Sequence, residues 1–236
     1  MSFPSGFLAT EAAGLAAVVG IAIFARTHHD LSASYPIAAG ACFMAMALVA
    51  MGHLRQYHPF PRFGLANQVT TVRAVLVALV VGLVFEAPRR DAALIGAAAA
   101  LLATALDGLD GWLARRTRME SAFGARFDVE VDALLIQALA ILAWQHGKAG
   151  PWVILSGLLR YLFLAAAWPW PWMGRALPAG FRGKTICIIQ ILVLIAVLMP
   201  SLRQPWSARL AALGLTLLGM SFFIDTLWLW RRSRTA

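Results

Sequence analysis

The sequence predicts an all-α, polytopic membrane protein built as a bundle of transmembrane helices. Of its 236 residues, 61% are hydrophobic and only 13% are charged, and the mean hydropathy is +0.74. A soluble domain would carry roughly 25% charged residues. The apolar residues also form runs close to the ~20 residues that a helix needs to cross a bilayer core. These observations exclude a water-soluble globular fold.

Eight apolar segments follow one another along the chain, and each is predicted to form a helix. They cover roughly residues 7–25, 35–53, 68–86, 92–113, 128–146, 150–168, 184–200 and 208–230. The break at 54–66 is the longest polar stretch after the first pair. We therefore expect two additional N-terminal transmembrane helices and a linker in residues 1–65, followed by a six-helix core in residues 66–236.

The net charge of +9 lies mainly in short loops between the apolar runs. Nucleic-acid binders instead gather basic residues on a solvated face, so membrane lipids and a phosphorylated substrate are the expected partners, and nucleic acid is not. With the N-terminus inside, the inner loops hold twelve Lys and Arg residues and the outer loops six. This bias predicts a multi-pass protein of the inner (cytoplasmic) membrane with both termini in the cytoplasm. Cys42 and Cys187 lie inside apolar segments and predict no disulfide.

Four aspartates lie at the ends of the fourth and fifth apolar segments: Asp107, Asp110, Asp128 and Asp132. An ionised Asp at the bilayer centre costs ~2.5–3.5 kcal/mol, so the cluster needs a compensating partner. On helices, the i,i+3 and i,i+4 spacings place each pair on one face. Carboxylate ligands suit Mg²⁺, Mn²⁺ or Ca²⁺ rather than zinc. Two divalent cations would balance four carboxylates and would serve in-line displacement at phosphorus. Solvated carboxylates paired with nearby arginines are the alternative.

Small residues accompany the aspartates and leave space beside them. Gly111 and Ala114 continue the Asp107 face at i+4 and i+7, so a phosphate or nucleotide could approach the helix closely. Arg115 follows as a natural phosphate partner. Gly124 would let the connecting turn pack tightly before the second aspartate pair.

The stretch from Asp107 to Asp132 resembles the signature of the CDP-alcohol phosphotransferase family, D-x2-D-G-x2-A-R-x8-G-x3-D-x3-D, without gap or substitution. The resemblance implies that the four aspartates form the metal site and that Asp132 is also the general base. Upstream, a second stretch is similar to the family's P-N-x2-T-x2-R entry to its first core helix, with Ala66 in place of proline. The nucleotide site implied by both stretches comprises Asn67, Thr70, Arg73, Gly111, Ala114, Arg115 and Gly124. Simple helix capping is the alternative for Thr70 and Arg73.

A second basic group predicts a site for the acceptor. Arg160 lies inside an apolar segment, where a charge indicates function by default. Arg182 and Lys184 begin the next helix in a stretch that resembles the G-K-x2-T region of family members using phosphorylated alcohols. These three residues would bind an acceptor phosphate, as in glycerol phosphate or inositol phosphate. Ordinary loop charge is the alternative for Arg182 and Lys184, and a buried pair with Asp225 or Glu130 is the alternative for Arg160.

The resemblance implies an enzyme of phospholipid synthesis that transfers a phosphatidyl group from CDP-diacylglycerol to an alcohol and releases CMP. Two Mg²⁺ or Mn²⁺ ions and a homodimer are also implied. The alternatives are transfer of a CDP-linked head group onto diacylglycerol and a cation-coupled transporter, although no inverted repeat of the transporter kind is visible. Glu130 points away from the Asp128 and Asp132 face and is left outside the metal set. For the isolated membrane carboxylates Glu11 and Asp225, packing within the bundle or placement at the membrane interface is a simpler explanation than proton relay.

Overall fold

The computed structural model describes residues 3–117, 119, 121–175 and 181–234. In that part the chain forms eight α-helices, and its β-structure is limited to an isolated bridge between Ser5 and Arg62. The helices are α1 (Phe7–His29), α2 (Ser34–Tyr57), α3 (Leu65–Leu83), α4 (Arg90–Thr117), α5 (Ala122–Gln145), α6 (Leu155–Ala166), α7 (Phe181–Leu198) and α8 (Trp206–Arg234). The predicted all-α fold class is confirmed.

Five of the described helices are long and apolar enough to cross a membrane, by length and composition. The candidate spans are Phe7–His29, Ser34–Leu54, Leu65–Leu83, Arg90–Thr117 and Trp206–Arg234. The protein is therefore a multi-pass membrane protein. Large apolar side chains such as Phe24 and Ile37 are exposed on these helices, as lipid-facing residues would be.

Residues 1–135 form one compact unit, in which α3 is the central helix. This helix packs against α1, α2 and α4, and twelve of its 19 residues are buried. The face of α4 that is buried carries small residues at alternating spacings of four and three, including Gly96, Ala100 and Ala103. Small residues allow two helix backbones to approach closely. The same stripe continues into Asp107 and Asp110, which are consequently buried as well.

Residues 136–236 form a second compact unit, which contains the rest of α5 together with α6, α7 and α8. Its α8 packs against α6 and α7. The Lys148 ammonium ties two loops of this unit together by donating hydrogen bonds to the carbonyl oxygens of Met199 (2.9 Å) and Leu202 (2.7 Å). A buried hydrogen bond from the Gln190 amide to the Ser156 hydroxyl (3.0 Å) joins α7 to α6.

Several helix boundaries differ from those of the predicted apolar segments. Helix α4 continues to Thr117, and α5 begins at Ala122, because polar residues such as arginine extend a helix although they end an apolar run. All four aspartates therefore lie inside helices rather than at segment ends. The predicted segment 150–168 is shorter as an α-helix, because Pro151 opens a 3-10 turn over Pro151–Ile154 before α6 begins.

Candidate active site

The first pair of carboxylates lies in the buried stripe of α4. Asp107 and Asp110 are 3% and 5% exposed, one helical turn apart on the side that packs against α3. Because an unpaired charge is costly to bury, each carboxylate needs a partner or a cation in this position.

The second pair lies on one face of α5, two turns into the helix. Ser121 precedes this helix, and its hydroxyl accepts a hydrogen bond from the Gly124 amide (3.0 Å), which caps the helix start. Asp132 is buried and Asp128 is half-buried. The cap and the i,i+4 spacing together direct both carboxylates to the same side of α5.

Three of the four aspartates converge on one point. Carboxylate oxygens of Asp107, Asp110 and Asp128 all lie within 4.8 Å of one another, close enough to hold one metal ion. Carboxylates are hard ligands that select Mg²⁺, Mn²⁺ or Ca²⁺. The donor chemistry of the site thus fits a divalent cation.

Arg73 of α3 lies among all four aspartates and is only 1% exposed. Its Nη1 is 3.2 Å from Asp107 Oδ1 and 2.8 Å from Asp110 Oδ2, and it also contacts Asp128. Its Nη2 contacts Asp132. Its Nε donates to the carbonyl oxygen of Ala103 (3.1 Å), which fixes the guanidinium against α4. One positive charge thus faces four carboxylates.

Other residues of the predicted nucleotide set lie at the same end of α3. The Thr70 hydroxyl donates to Asp110 Oδ2 (3.1 Å), so Thr70 touches the carboxylate cluster directly. Asn67 lies against Gly124, where an added Cβ would come within 3.0 Å of Asn67 Oδ1. A larger residue at position 124 would require the Asn67 side chain to shift by a few tenths of an ångström.

The remaining predicted nucleotide residues lie on the last two turns of α4. The Arg115 guanidinium folds back over Gly111, where an added Cβ would lie 3.4 Å from Nη1. Ala114 is half-buried, and Arg115 is exposed. An exposed guanidinium one turn beyond the carboxylates can reach a phosphate group of a bound molecule.

The three residues predicted for the acceptor belong to the second unit. Arg182 and Lys184 are exposed in the first turn of α7, and Arg160 is half-buried in α6. Asp225 of α8 pairs with Arg182, so this membrane carboxylate has a basic partner on a neighbouring helix. In the sequence, Asp225 is an alternative partner for Arg160, and the structure shows its pairing with Arg182.

Sequence reasoning did not foresee two contacts of α3. Arg73 is predicted for the nucleotide site, and the structure adds that its guanidinium lies among the four aspartates. Sequence reasoning also gave no partner for Glu11, whose carboxylate accepts a hydrogen bond from the Thr71 hydroxyl (3.0 Å). No local pattern could have signalled either contact, because the partners lie 34 or more positions apart in the chain.

The fold and the site together define a multi-pass helical membrane protein with a buried carboxylate cluster able to hold a divalent cation. The sequence model of the CDP-alcohol phosphatidyltransferase family matches residues 63–224, which is more than half of the chain. The chain therefore belongs to the CDP-alcohol phosphatidyltransferase family and is a transferase.

Individual relatives agree with this assignment. A protein from Pseudomonas fluorescens named CDP-diacylglycerol--glycerol-3-phosphate 3-phosphatidyltransferase is 28% identical over 176 residues, which cover 69% of this chain and 89% of the relative. A protein of the same name from Salmonella choleraesuis is 29% identical over 112 residues, covering 46% of this chain and 60% of the relative. No solved structure matches the chain significantly.

Proposed function

We propose that this protein transfers the phosphatidyl group of CDP-diacylglycerol to an alcohol acceptor and releases CMP. The observation that carries the proposal is the convergence of three carboxylates within 4.8 Å, with Asp132 on the other side of the same guanidinium. The family match covers the helices that bear these residues, and the names of the relatives specify the same type of transfer.

One divalent ion, either Mg²⁺ or Mn²⁺, would be held by Asp107, Asp110 and Asp128. Asp132 would complete the ligands for a second ion of the same kind. Such ions neutralise a pyrophosphate and the charge that develops on the leaving group. The nucleotide would be surrounded by Asn67, Thr70, Arg73, Gly111, Ala114, Arg115 and Gly124. The exposed Arg115 guanidinium would bind one of its phosphate groups.

The reaction balances as a single displacement at phosphorus. The hydroxyl oxygen of the acceptor attacks the phosphorus of the phosphatidyl group, and the bond from that phosphorus to the oxygen of CMP breaks. Asp132 accepts the hydroxyl proton as general base. Its contact with Arg73 Nη2, separate from the Nη1 contacts of the other three aspartates, supports a distinct role for this carboxylate.

The proposed acceptor carries a phosphate group, and glycerol 3-phosphate is the leading candidate. The second unit carries three basic residues that suit an anionic acceptor, Arg160, Arg182 and Lys184, of which Arg182 is paired with Asp225. The relatives are named for glycerol 3-phosphate. We further propose that the site faces the cytoplasm from the inner membrane, which the bias of loop charge supports.

The test is an assay of CMP release by the purified full-length protein in lipid vesicles containing CDP-diacylglycerol. Glycerol 3-phosphate, inositol phosphate, glycerol and inositol are supplied in turn, with Mg²⁺ or Mn²⁺ and then with EDTA. We expect CMP release with a phosphorylated alcohol, and we expect EDTA to abolish that release.

Arg160→Ala should raise the KM for that acceptor about tenfold, as expected for loss of a charged hydrogen bond. Arg89→Ala, in an exposed loop, is the matched control.

Two outcomes would contradict the proposal. Absence of metal-dependent CMP release with every alcohol would remove the phosphatidyl-transfer function. Release from CDP-choline or CDP-ethanolamine on addition of diacylglycerol, without release from CDP-diacylglycerol, would assign the protein to head-group transfer.

A further inference from the structure

A carboxylate of the first helix, Glu11, forms a buried contact with the helix that enters the active site. Glu11 is 9% exposed within an apolar span of α1, and its Oε1 accepts a hydrogen bond from the Thr71 hydroxyl of α3 (3.0 Å). Thr71 is 2% exposed. A leucine would fill this position in α1 without the cost of burying a carboxyl group, so packing alone does not account for a glutamate here.

The two helices approach each other closely at this point. Gly14, one turn after Glu11, faces α3, and an added Cβ there would lie 3.2 Å from Thr71 Cγ2 and 2.5 Å from the Phe43 ring. Glu11 and Gly14 thus bring one turn of α1 against the turn of α3 that bears Thr71. Buried polar pairs of this kind can fix one register of two helices against neighbouring registers.

The turn of α3 that Glu11 contacts is the turn that serves the carboxylate cluster. Thr70, the residue before Thr71, donates to Asp110. The Thr71 hydroxyl also lies 3.1 Å from the carbonyl oxygen of Asn67, within the same turn. Arg73 follows two residues later, about 200° around the helix, and therefore points away from α1 and towards the aspartates. Any rotation or sliding of α3 at Thr71 would move Thr70 and Arg73 within the site.

We propose that Glu11 is a positioning residue for the active site and that it acts through Thr71. The hydrogen bond fixes the back of α3 so that Thr70 and Arg73 meet the aspartates on its front. We propose residues 1–65 as an addition to the family core, and they carry none of the predicted site residues. Through Glu11 they would nevertheless contribute to catalysis. The inference rests on the proposed function for its kinetic readout.

A second hydrogen bond between the N-terminal helices and α3 provides a matched control. The Tyr35 hydroxyl, on α2, donates to the carbonyl oxygen of Leu79 (3.2 Å), and Tyr35 is 1% exposed. Leu79 lies eight residues beyond Thr71, about 12 Å further along α3 and away from the site. Tyr35→Phe thus removes a buried bond between the same two parts of the chain without touching the turn that bears Thr70.

The experiment compares Glu11→Leu, Glu11→Gln and Tyr35→Phe in the full-length protein. The measurements are kcat and KM for CMP release, the Mn²⁺ concentration that gives half-maximal binding by electron paramagnetic resonance, and the thermal midpoint. We expect Glu11→Leu to weaken Mn²⁺ binding and lower kcat/KM, each by up to about tenfold, the range of one lost hydrogen bond. Glu11→Gln keeps a hydrogen-bonding group, so its Mn²⁺ binding and kcat/KM should be close to those of the wild type. Tyr35→Phe should lower the thermal midpoint while leaving both values within about twofold of the wild type.

A second pair of variants keeps the test decisive if Glu11→Leu does not fold. Thr71→Ser retains the hydroxyl group and should behave as the wild type, whereas Thr71→Val loses it and should reproduce the loss of Mn²⁺ affinity. The inference would be overturned if Glu11→Leu and Tyr35→Phe lowered the thermal midpoint equally and neither changed Mn²⁺ binding or kcat/KM. An inactive wild-type protein would instead count against the proposed function, because Mn²⁺ binding is measured independently of turnover.

Discussion

At the scale of single residues, Asp132 differs from the other three aspartates in its contact with Arg73. It meets Nη2, whereas Asp107, Asp110 and Asp128 meet Nη1. The three aspartates that could hold one ion therefore share contact with a single guanidinium nitrogen. This division supports separate roles for the three ligands and for the fourth carboxylate.

Asp132→Asn should lower kcat by about 10³-fold, the typical contribution of a general base, while the protein remains folded. The amide keeps the shape of the side chain but cannot accept the hydroxyl proton. CMP release and the thermal midpoint are the measurements. Glu130→Gln is the matched control, because it neutralises an acid on the same helix outside the predicted metal set. Full turnover by Asp132→Asn would remove the general-base assignment.

Arg73→Met should destabilise the protein in EDTA by about 3–5 kcal/mol, the usual cost of removing one partner from buried charges. Its guanidinium is nearly inaccessible and contacts four carboxylates, which would then repel one another. Thermal midpoints in detergent with EDTA and with Mn²⁺ would measure the effect, and Mn²⁺ should recover part of the loss. Arg73→Lys, which keeps the charge, serves as the comparison. An unchanged thermal midpoint for Arg73→Met would show that Arg73 does not offset the negative charge of the four aspartates.

At the scale of helices, close packing at glycine positions holds the elements in place. Gly124 of α5 lies close to Asn67 of α3, whose Oδ1 would be 3.0 Å from an added Cβ. In the second unit, Gly157 of α6 lies against α5, where an added Cβ would come within 2.6 Å of the Gln137 Cα atom. A backbone neighbour cannot rotate away as a flexible side chain can.

Gly157→Ala should therefore destabilise the second unit by about 1–3 kcal/mol through overpacking. Gly219→Ala is the matched control, because no atom lies within 4 Å of the added Cβ in α8. Alanine favours a helix over glycine by up to about 1 kcal/mol, so the control should be neutral or slightly stabilising. Thermal midpoints of the two variants in detergent provide the measurement. A midpoint for Gly157→Ala equal to that of Gly219→Ala would contradict the packing at α6.

At the scale of the whole molecule, α8 provides a test of membrane orientation. It is 29 residues long, about 44 Å at 1.5 Å per residue, and thus longer than the roughly 30 Å core of a bilayer. The loop before it holds Arg203, and its end holds Arg231. The proposed orientation places Arg203 outside the cytoplasm and Arg231 inside it.

In a protein whose Cys42 and Cys187 are replaced by alanine, Arg203→Cys should react with a membrane-impermeant maleimide in intact cells. Arg231→Cys should react only after the membrane has been permeabilised. Labelling of the two introduced cysteines is measured by a mass shift on a gel. The reverse pattern would invert the orientation and place the aspartate cluster outside.

The sequence by itself determined the helices and the spacing of the aspartates. Hydropathy and segment length are properties of consecutive residues, and i,i+3 or i,i+4 spacing fixes a shared helix face before any tertiary contact forms. The family signature at residues 107–132 is local for the same reason. Helix ends such as Thr117 could not be predicted as well from the sequence, because a helix can continue through polar residues beyond an apolar run.

Only the tertiary structure decided which residues from different helices meet. Arg73 lies 34 positions before Asp107 and 59 before Asp132, and Glu11 lies 60 before Thr71. Such contacts depend on which faces of α1, α3, α4 and α5 pack together and on how closely their small residues allow them to approach. Packing of this kind is a property of several helices at once, so no single stretch of sequence encodes it.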